Sequence, residues 1–387
     1  MFHLSEFQGS GWVEVLVDKV VSSDVNTLVS GLIELHERMR SAGGLAQLTR
    51  IAVAVYDVKT DLLRTFIHSS AEETPLNHYV ARLREVPSLA EIARNGQPRV
   101  VNDLSLYNPA AVHSRRVVEG GYRSSYTVPL MEDGRLAGFL FFNSTEAGFF
   151  TPVVLHQLWP YAQIAAFIAT MELERIHVIQ AAVNTVRQIS HQRDEETGAH
   201  LERMSRYTRM IAEVLAPSHG LDDEYLEYLF QFAPLHDVGK VAVPDKILLK
   251  PGRLDANEFA TMKTHVEKGA HIIDLMTEDF GIGRIPHARI LRNVVAHHHE
   301  AWDGSGYPAG LKGEAIPLEA RITSVADVFD ALTSTRPYKD AWSNEQALDY
   351  LVEMRGVKFY PPCVDAMTDN PDRIRQIQAQ FAETPFD

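Results

Sequence analysis

The stretch AHHHEAWDGSGYPAGLKG, residues 296–313, constrains this chain more than any other part of it. Three adjacent imidazoles, on His297, His298 and His299, cannot all face one core. Gly304 and Gly306 give up side-chain burial for backbone freedom. Such a segment packs poorly, but it suits a metal site whose next loop, carrying Tyr307 and Pro308, lets a ligand approach closely. A second cluster, His236-Asp237-Val238-Gly239-Lys240, lies upstream, and the two read as halves of one site.

Bulk properties narrow what that site can serve. A chain of 387 residues has room for two domains with real cores, and 45% hydrophobic with 23% charged content is ordinary for globular protein. The formal charge of −14 disfavours nonspecific nucleic-acid binding, so no DNA partner is expected. An anionic substrate would need local help from metal ions, Lys or Arg. No apolar run is long enough to span a bilayer, so no membrane insertion is expected. The N-terminus MFHLSEFQGSGW has neither a basic nor an apolar leader region. A single cysteine, Cys363, excludes an internal disulfide framework and is expected to be buried and inert. Together these predict a cytoplasmic protein.

The first 150 residues mix both kinds of element. Residues 24–41 predict a helix behind a Ser23/Asp24 cap, with Leu28, Leu32, Leu35 and Met39 on one face. IAVAVYD and LLRTFIHSS predict strands about a VKTD turn, followed by helical segments around 75–95 and an extended PRVVNDL. SSYTVPLM and RLAGFLFFNS predict a hairpin across Glu132-Asp133-Gly134. This is an α+β domain over residues 1–150. His68, His78 and His113 read as structural. The order, above all GYRSSYTVPLMEDGRLAGFLFFNS, resembles a GAF sensory domain. That resemblance implies a small ligand or partner, of unknown identity, and a capacity to dimerise.

Residues 151–190 have no Gly, and no Pro beyond Pro160. Leu173, Ile176, Ile179, Val183, Val186 and Ile189 step by three or four, which suggests a long connecting helix with a coiled-coil seam. The helix either pairs with its copy in a homodimer or packs on its own domain. Residues 191–387 read as all-α, with helices at 197–216, 222–237, 255–277, 286–300, 318–334 and 344–355.

Those helices carry the chemistry. The candidate metal ligands are Glu196, His200, His236, Asp237, His265, His298, His299 and Asp327. Glu196 and His200 are four apart and share a helical face. The vicinal pair His236-Asp237 can serve two ions if the carboxylate bridges, and Lys240 shares the face of His236 if the helix persists through Gly239. Asp327 stands in the mainly apolar ITSVADVFDALTS, where an unpaired charge would cost several kcal/mol unless a cation partners it. Each motif alone is common; their joint occurrence is specific.

HDVGK, VPDKILLKPGRLDANEF, His265 with Gly269, HHEAWDGSGYP, RITSVADVFDAL and TSTRPYK follow in one order, and residues 190–370 resemble the HD-GYP subset of HD-domain phosphohydrolases. FYPPCVDAM departs from that pattern, where the family more often has Phe-Asp-Pro. The resemblance implies a five-helix HD core and metal-dependent hydrolysis of the bacterial second messenger cyclic di-GMP to pGpG, with slower cleavage to GMP. It implies that Asp237 bridges two metals with His236, His265, His298, His299 and Asp327 completing the pair, and that Glu196 and His200 hold a third. The ligand set suits iron or manganese, less specifically zinc or nickel. Catalysis would rest on Asp237 and Lys240, and substrate binding on Lys240, Tyr307, Arg336 and Lys339. Asp303 and Asp330 are expected as loop groups or as groups that support the ligands from behind, His297 in packing or in that same outer layer, and His271 and His287 as structural. Two metals about 3.5–4 Å apart can hold a phosphodiester and activate water against it. The alternatives are a cyclic di-GMP receptor with little turnover and a hydrolase of another cyclic dinucleotide.

Overall fold

Strand pairing organises the N-terminal part of the computed structural model, which describes residues 28–71, 78–106, 112–190, 197–279, 288–335 and 341–382. Its elements are α1 (Leu28–Ser41), β1 (Arg50–Asp57), β2 (Leu62–Ser70), β3 (Val80–Arg82), α2 (Pro87–Asn95), β4 (Arg99–Val101), α3 (Val112–Glu119), β5 (Ser124–Glu132) and β6 (Arg135–Ser144). The strands form one antiparallel sheet in the order β3-β2-β1-β6-β5-β4. The hairpin turns where the sequence places it: Glu132 pairs with Arg135, and Asp133 (φ 47°) and Gly134 (φ 77°) take the left-handed conformations a two-residue turn needs.

The segment expected to be helical around 75–95 is a correction. Val80–Arg82 extends the sheet beside β2, and among the described residues of this stretch only Pro87–Asn95 is α-helical. Sheet pairing overrides local propensity there. The Ser23/Asp24 cap lies outside the described residues.

Alternation along β1 gives the sheet two unlike faces. Ile51 and Val53 are fully buried on one. On the other, Arg50, Ala52 and Ala54 join Thr65, Ser125 and Asn143 around a cavity of about 80 Å³. Small and polar side chains at buried positions leave that volume unfilled.

Helix α4 (Pro152–Ser190) contains the boundary between two compact units, Met1–Leu173 and Glu174–Asp387. Of the seam expected along it, Leu173, Ile176 and Ile179 are buried within the single chain. The side chains of Val183, Val186 and Ile189 lie outside the described residues. Among the described side chains of this helix after residue 158, the exposed large apolar groups are Trp159, Phe167, Met171 and Val178.

The described part of the second unit contains no named β-strand. Its helices are α5 (Gly198–His219), α6 (Asp223–Phe232), α7 (Asp245–Leu248), α8 (Ala256–Lys263), α9 (His265–Asp279), α10 (Ala288–His297), α11 (Leu318–Thr333), α12 (Asn344–Glu353), α13 (Pro361–Thr368) and α14 (Pro371–Gln380). Three boundaries differ from the expectation, one being the helix over 286–300, which ends at His297. The helix expected over 222–237 ends at Phe232 and continues as 3₁₀ turns, Ala233–Leu235 and Val238–Ala242, so Lys240 does not share an α-helical face with His236. The helix expected over 255–277 breaks at Thr264, which leaves His265 at the start of α9. The last two helices were not anticipated; each has Pro in its first turn, where a missing N–H costs nothing.

Helix α5 forms the spine of this unit, with Met204, Tyr207, Met210 and Ile211 fully buried. Tyr207 meets Phe329 of α11 edge-on, ring centroids 5.3 Å apart. The 3₁₀ turn Val238–Ala242 lies directly on α9: a Cβ at Gly239 would fall on the His265 carbonyl oxygen and the Gly269 backbone. Because the obstacle is backbone, relaxation is limited. Gly239→Ala is therefore expected to destabilise this unit by about 3 kcal/mol or more, at the upper end of overpacking costs, read by chemical denaturation.

Candidate metal centre

Five places in the second unit converge on one buried point. His200 occupies the first turn of α5, fixed there by the Thr197 cap, whose hydroxyl accepts from the His200 N–H at 3.1 Å. His236 and Asp237 lie between the two 3₁₀ turns, His265 opens α9, and Asp327 projects from α11. Helix α10 ends at His297, so His298 and His299 escape helical periodicity. Their rings lie side by side, 4.1 Å between centroids, while His297 lies against Glu300 at 3.8 Å.

Seven of the eight candidate ligands are described, and they fall into two groups. Asp237, His265, His298 and His299 can each offer one atom within 4.8 Å of the others, as can His200, His236 and Asp327. Asp237 touches both groups. Its Oδ1 is 3.0 Å from His265 Nε2 and 3.5 Å from His298 Nε2, while Oδ2 is 3.3 Å from His236 Nε2. Asp327 Oδ1 stands 3.8 Å from the Nε2 atoms of both His200 and His236. Glu196, Arg336 and Lys339 lie outside the described residues.

The far nitrogen of four imidazoles is anchored. Nδ1 of His236, His265 and His298 donates to the carbonyls of Ala233, Met262 and Val294 at 3.0, 2.8 and 2.9 Å. His200 Nδ1 instead donates to a carboxylate, Asp330 Oδ2, at 2.8 Å. A proton held on Nδ1 leaves the Nε2 lone pair for a ligand. His265 Nε2, His298 Nε2 and Asp237 Oδ1 are buried without a hydrogen-bond partner among the described residues. Buried acceptors left unmade are costly, and a cation among them removes that cost. Imidazole and carboxylate donors without thiolate fit a divalent transition metal.

Electrostatics favour the ligating protonation states. Burial alone would raise the Asp237 carboxyl, but the charge of Lys240, whose Nζ lies 2.8 Å from Oδ2, leads the interactions that hold it well below the carboxylate range. Burial lowers His298, and lowers His299 further with the help of His298. Burial and the negative field of Asp237 and Asp327 push the Tyr307 hydroxyl up, so it stays protonated as a hydrogen-bond donor. The Tyr307 ring lies on His299, centroids 4.8 Å apart and planes 31° from parallel, so this face meets an imidazole rather than a stacked base.

Asp330 stands behind the candidate ligands, as expected for a group outside the ligand set, and Arg203 and Glu300 join it as supports that the motifs do not single out. Asp330, fully buried, receives Nε and Nη2 of Arg203 at 2.7 and 2.8 Å besides His200. Burial would raise its carboxyl, but His200 and Arg203 outweigh that and lower it. Glu300 is an anchor: its oxygens accept from the N–H groups of Ala309 and Leu311 at 2.8 and 3.0 Å, clasping the glycine-rich loop. Gly306 is required beneath it, since a Cβ there would meet the Glu300 and Ala301 backbone. The signals were present, as Asp330 is one turn from Asp327 and Arg203 one turn from His200. Asp303 is exposed and caps its own turn through Ser305 N–H, 2.8 Å. His271 is exposed. Cys363 is fully buried in α13, and burial raises its thiol, in line with an inert cysteine.

Residues 187–363 match the HD domain family, and residues 22–168 match the GAF domain family. The cyclic di-GMP phosphodiesterase response regulator RpfG of Xanthomonas campestris pv. campestris is 47% identical over 191 residues, 49% of this chain and 47% of that protein. A cyclic di-GMP phosphodiesterase of Vibrio cholerae is 40% identical over 230 residues, 56% of this chain and 46% of that one. A 3'3'-cGAMP-specific phosphodiesterase 2, also of Vibrio cholerae, is 42% identical over 191 residues, 49% of this chain and 34% of that one. The chain thus spans about half the length, or less, of these curated relatives.

His236→Ala and Asp237→Ala are expected to lower the metal retained after desalting, measured by elemental analysis against wild type. Asp330→Ala, which removes the carboxylate that holds both His200 and Arg203, is expected to weaken metal affinity by about 10- to 100-fold and to cost about 3–5 kcal/mol of stability, read by metal titration and chemical denaturation.

Proposed function

The chain carries a GAF domain followed by an HD domain of the HD-GYP type, and from that pairing we propose a metal-dependent phosphodiesterase that hydrolyses cyclic di-GMP to pGpG, and more slowly to GMP, under control of the GAF domain. The observation that carries this reading is the convergence of seven ligand side chains with Lys240 beside the Asp237 carboxylate. Asp237, His236, His265, His298, His299 and Asp327 would hold two divalent ions, with Glu196 and His200 supporting a third, iron or manganese in each case. When bound, such ions supply Lewis-acid stabilisation of a phosphodiester and an acidified water.

The protein's own groups do the rest. Water adds to one phosphorus while the ring oxygen on that phosphorus leaves with a proton, which opens the cycle. Asp237 and Lys240 hold opposite charge at the reacting phosphate, and the Lys240 ammonium can turn from the carboxylate to a phosphate or leaving oxygen as a point charge. The protonated Tyr307 hydroxyl can donate to substrate. Arg336 and Lys339 are proposed to bind the nucleotide, where Arg can present two donors to a guanine edge. A cytoplasmic homodimer, with an unidentified ligand or partner for the GAF domain, completes the proposal. Among the described residues no helix is long and apolar enough to cross a membrane.

A second reading, hydrolysis of a different cyclic dinucleotide, is favoured by the name of one relative, a 3'3'-cGAMP-specific phosphodiesterase. Anaerobic turnover of cyclic di-GMP and 3'3'-cGAMP side by side, with metal quantified, separates the two. Wild type is expected to give pGpG from cyclic di-GMP, and His236→Ala or Asp237→Ala to lose at least about 100-fold in rate, as when a transition-state contact is removed. Preferential cleavage of 3'3'-cGAMP would move the assignment to that substrate. Binding of cyclic di-GMP by fully metallated protein without product would make it a receptor.

A further inference from the structure

A cation outside the expected motif stands at the edge of the metal centre. Lys263 is the last residue of α8 and His265 the first of α9, joined through Thr264. His265 Nδ1 donates to Met262 O at 2.8 Å, so one tight turn presents both the ligand imidazole and Lys263. The half-buried Lys263 reaches over two rings, its Nζ 5.4 Å from the centroid of Phe259 and 5.5 Å from that of Tyr307. Tyr307 in turn lies on His299, so the ammonium is one ring away from the ligand group.

Its charge is not consumed as its neighbours' charges are. Lys240 lies 2.8 Å from Asp237 Oδ2, and Lys250 pairs with Glu258 at 2.5 Å. Lys263 forms no ion pair among the described residues; its contacts are aromatic faces, which stabilise an ammonium while leaving its three N–H donors available. A favourable position at the C-terminus of α8 explains a lysine here only in part, since that role would be met with the side chain in solvent.

Resting on the reading of this centre as a cyclic dinucleotide hydrolase, we propose that Lys263 binds the second phosphodiester of the substrate, the one not being cleaved. A cyclic dinucleotide carries two anionic phosphodiesters in one ring. When one sits among the metal ligands, the other is held close by the macrocycle and must be desolvated beside a chain of net charge −14. A cation displaced from the ligand group by the width of Tyr307 suits that second anion.

The test compares cyclic di-GMP with bis(p-nitrophenyl) phosphate, a diester with a single phosphate, on metal-loaded wild type, Lys263→Met and Lys263→Arg. Lys263→Met keeps an apolar stem over the rings and removes the charge. We expect its KM for cyclic di-GMP to rise about 10- to 100-fold, the range for a lost charged hydrogen bond, with kcat retained. The ratio of kcat/KM values for cyclic di-GMP over the one-phosphate diester falls by the same factor, and Lys263→Arg restores most of it. Equal losses on both substrates, or no change in KM, overturn the assignment. If wild type cleaves the simple diester but not cyclic di-GMP, the hydrolase reading fails separately. Lys263 is then judged by cyclic di-GMP binding, which Lys263→Met weakens by the same factor if the assignment stands and leaves alone if it falls.

Discussion

The candidate metal centre depends on hydrogen bonds made on the side of each imidazole away from the point where the side chains converge. Three Nδ1 atoms donate to main-chain carbonyls within four residues, and the fourth donates to Asp330. Each bond fixes both ring orientation and tautomer. For His236, His265 and His298 the acceptor belongs to the same local turn, so once the backbone is formed the ligand atom is aimed. The 3₁₀ turns after α6, the break at Thr264 and the end of α10 at His297 are therefore what bring these side chains to one point.

This explains what the sequence disclosed and what it withheld. The candidate residues were legible because buried His and Asp in otherwise apolar helices have few stable uses, and the structure brings seven of them together. The hairpin at Asp133-Gly134 was legible because only a few residues accept two successive positive φ values. The break at Thr264 was not, since no Gly or Pro stands there and the hydrophobic spacing continues across it. Strand β3 was missed because three residues carry too short a period to read, and their state is set by pairing with β2. Gly239 and Gly269 looked like motif members; their reason is the close passage of one backbone over another.

The two units use buried polar groups differently. In the sheet, Asn143 donates to Ser125 Oγ at 3.1 Å and sits 3.4 Å from Arg50 Nη1, bordering space rather than a converging lone-pair set. In the helical unit His265 Nε2, His298 Nε2 and Asp237 Oδ1 face one another without a hydrogen-bond partner among the described residues. The first arrangement borders a cavity of about 80 Å³, and the second is a converging set of candidate ligand atoms.

The network behind His200 has a consequence for the order in which this unit is built. His200 belongs to the first helix that lies wholly inside the unit, yet its anchor, Asp330, comes 130 residues later. Arg203, which grips Asp330, also donates to the Phe381 carbonyl, 178 residues away at 3.0 Å. During synthesis, the earliest of these side chains to leave the ribosome waits for the latest before its ring is fixed. Loop closure over such separations is slow compared with the local turns around His236, His265 and His298. The group containing Asp237, His265, His298 and His299 can thus assemble from shorter-range contacts first, with the His200 side closing last.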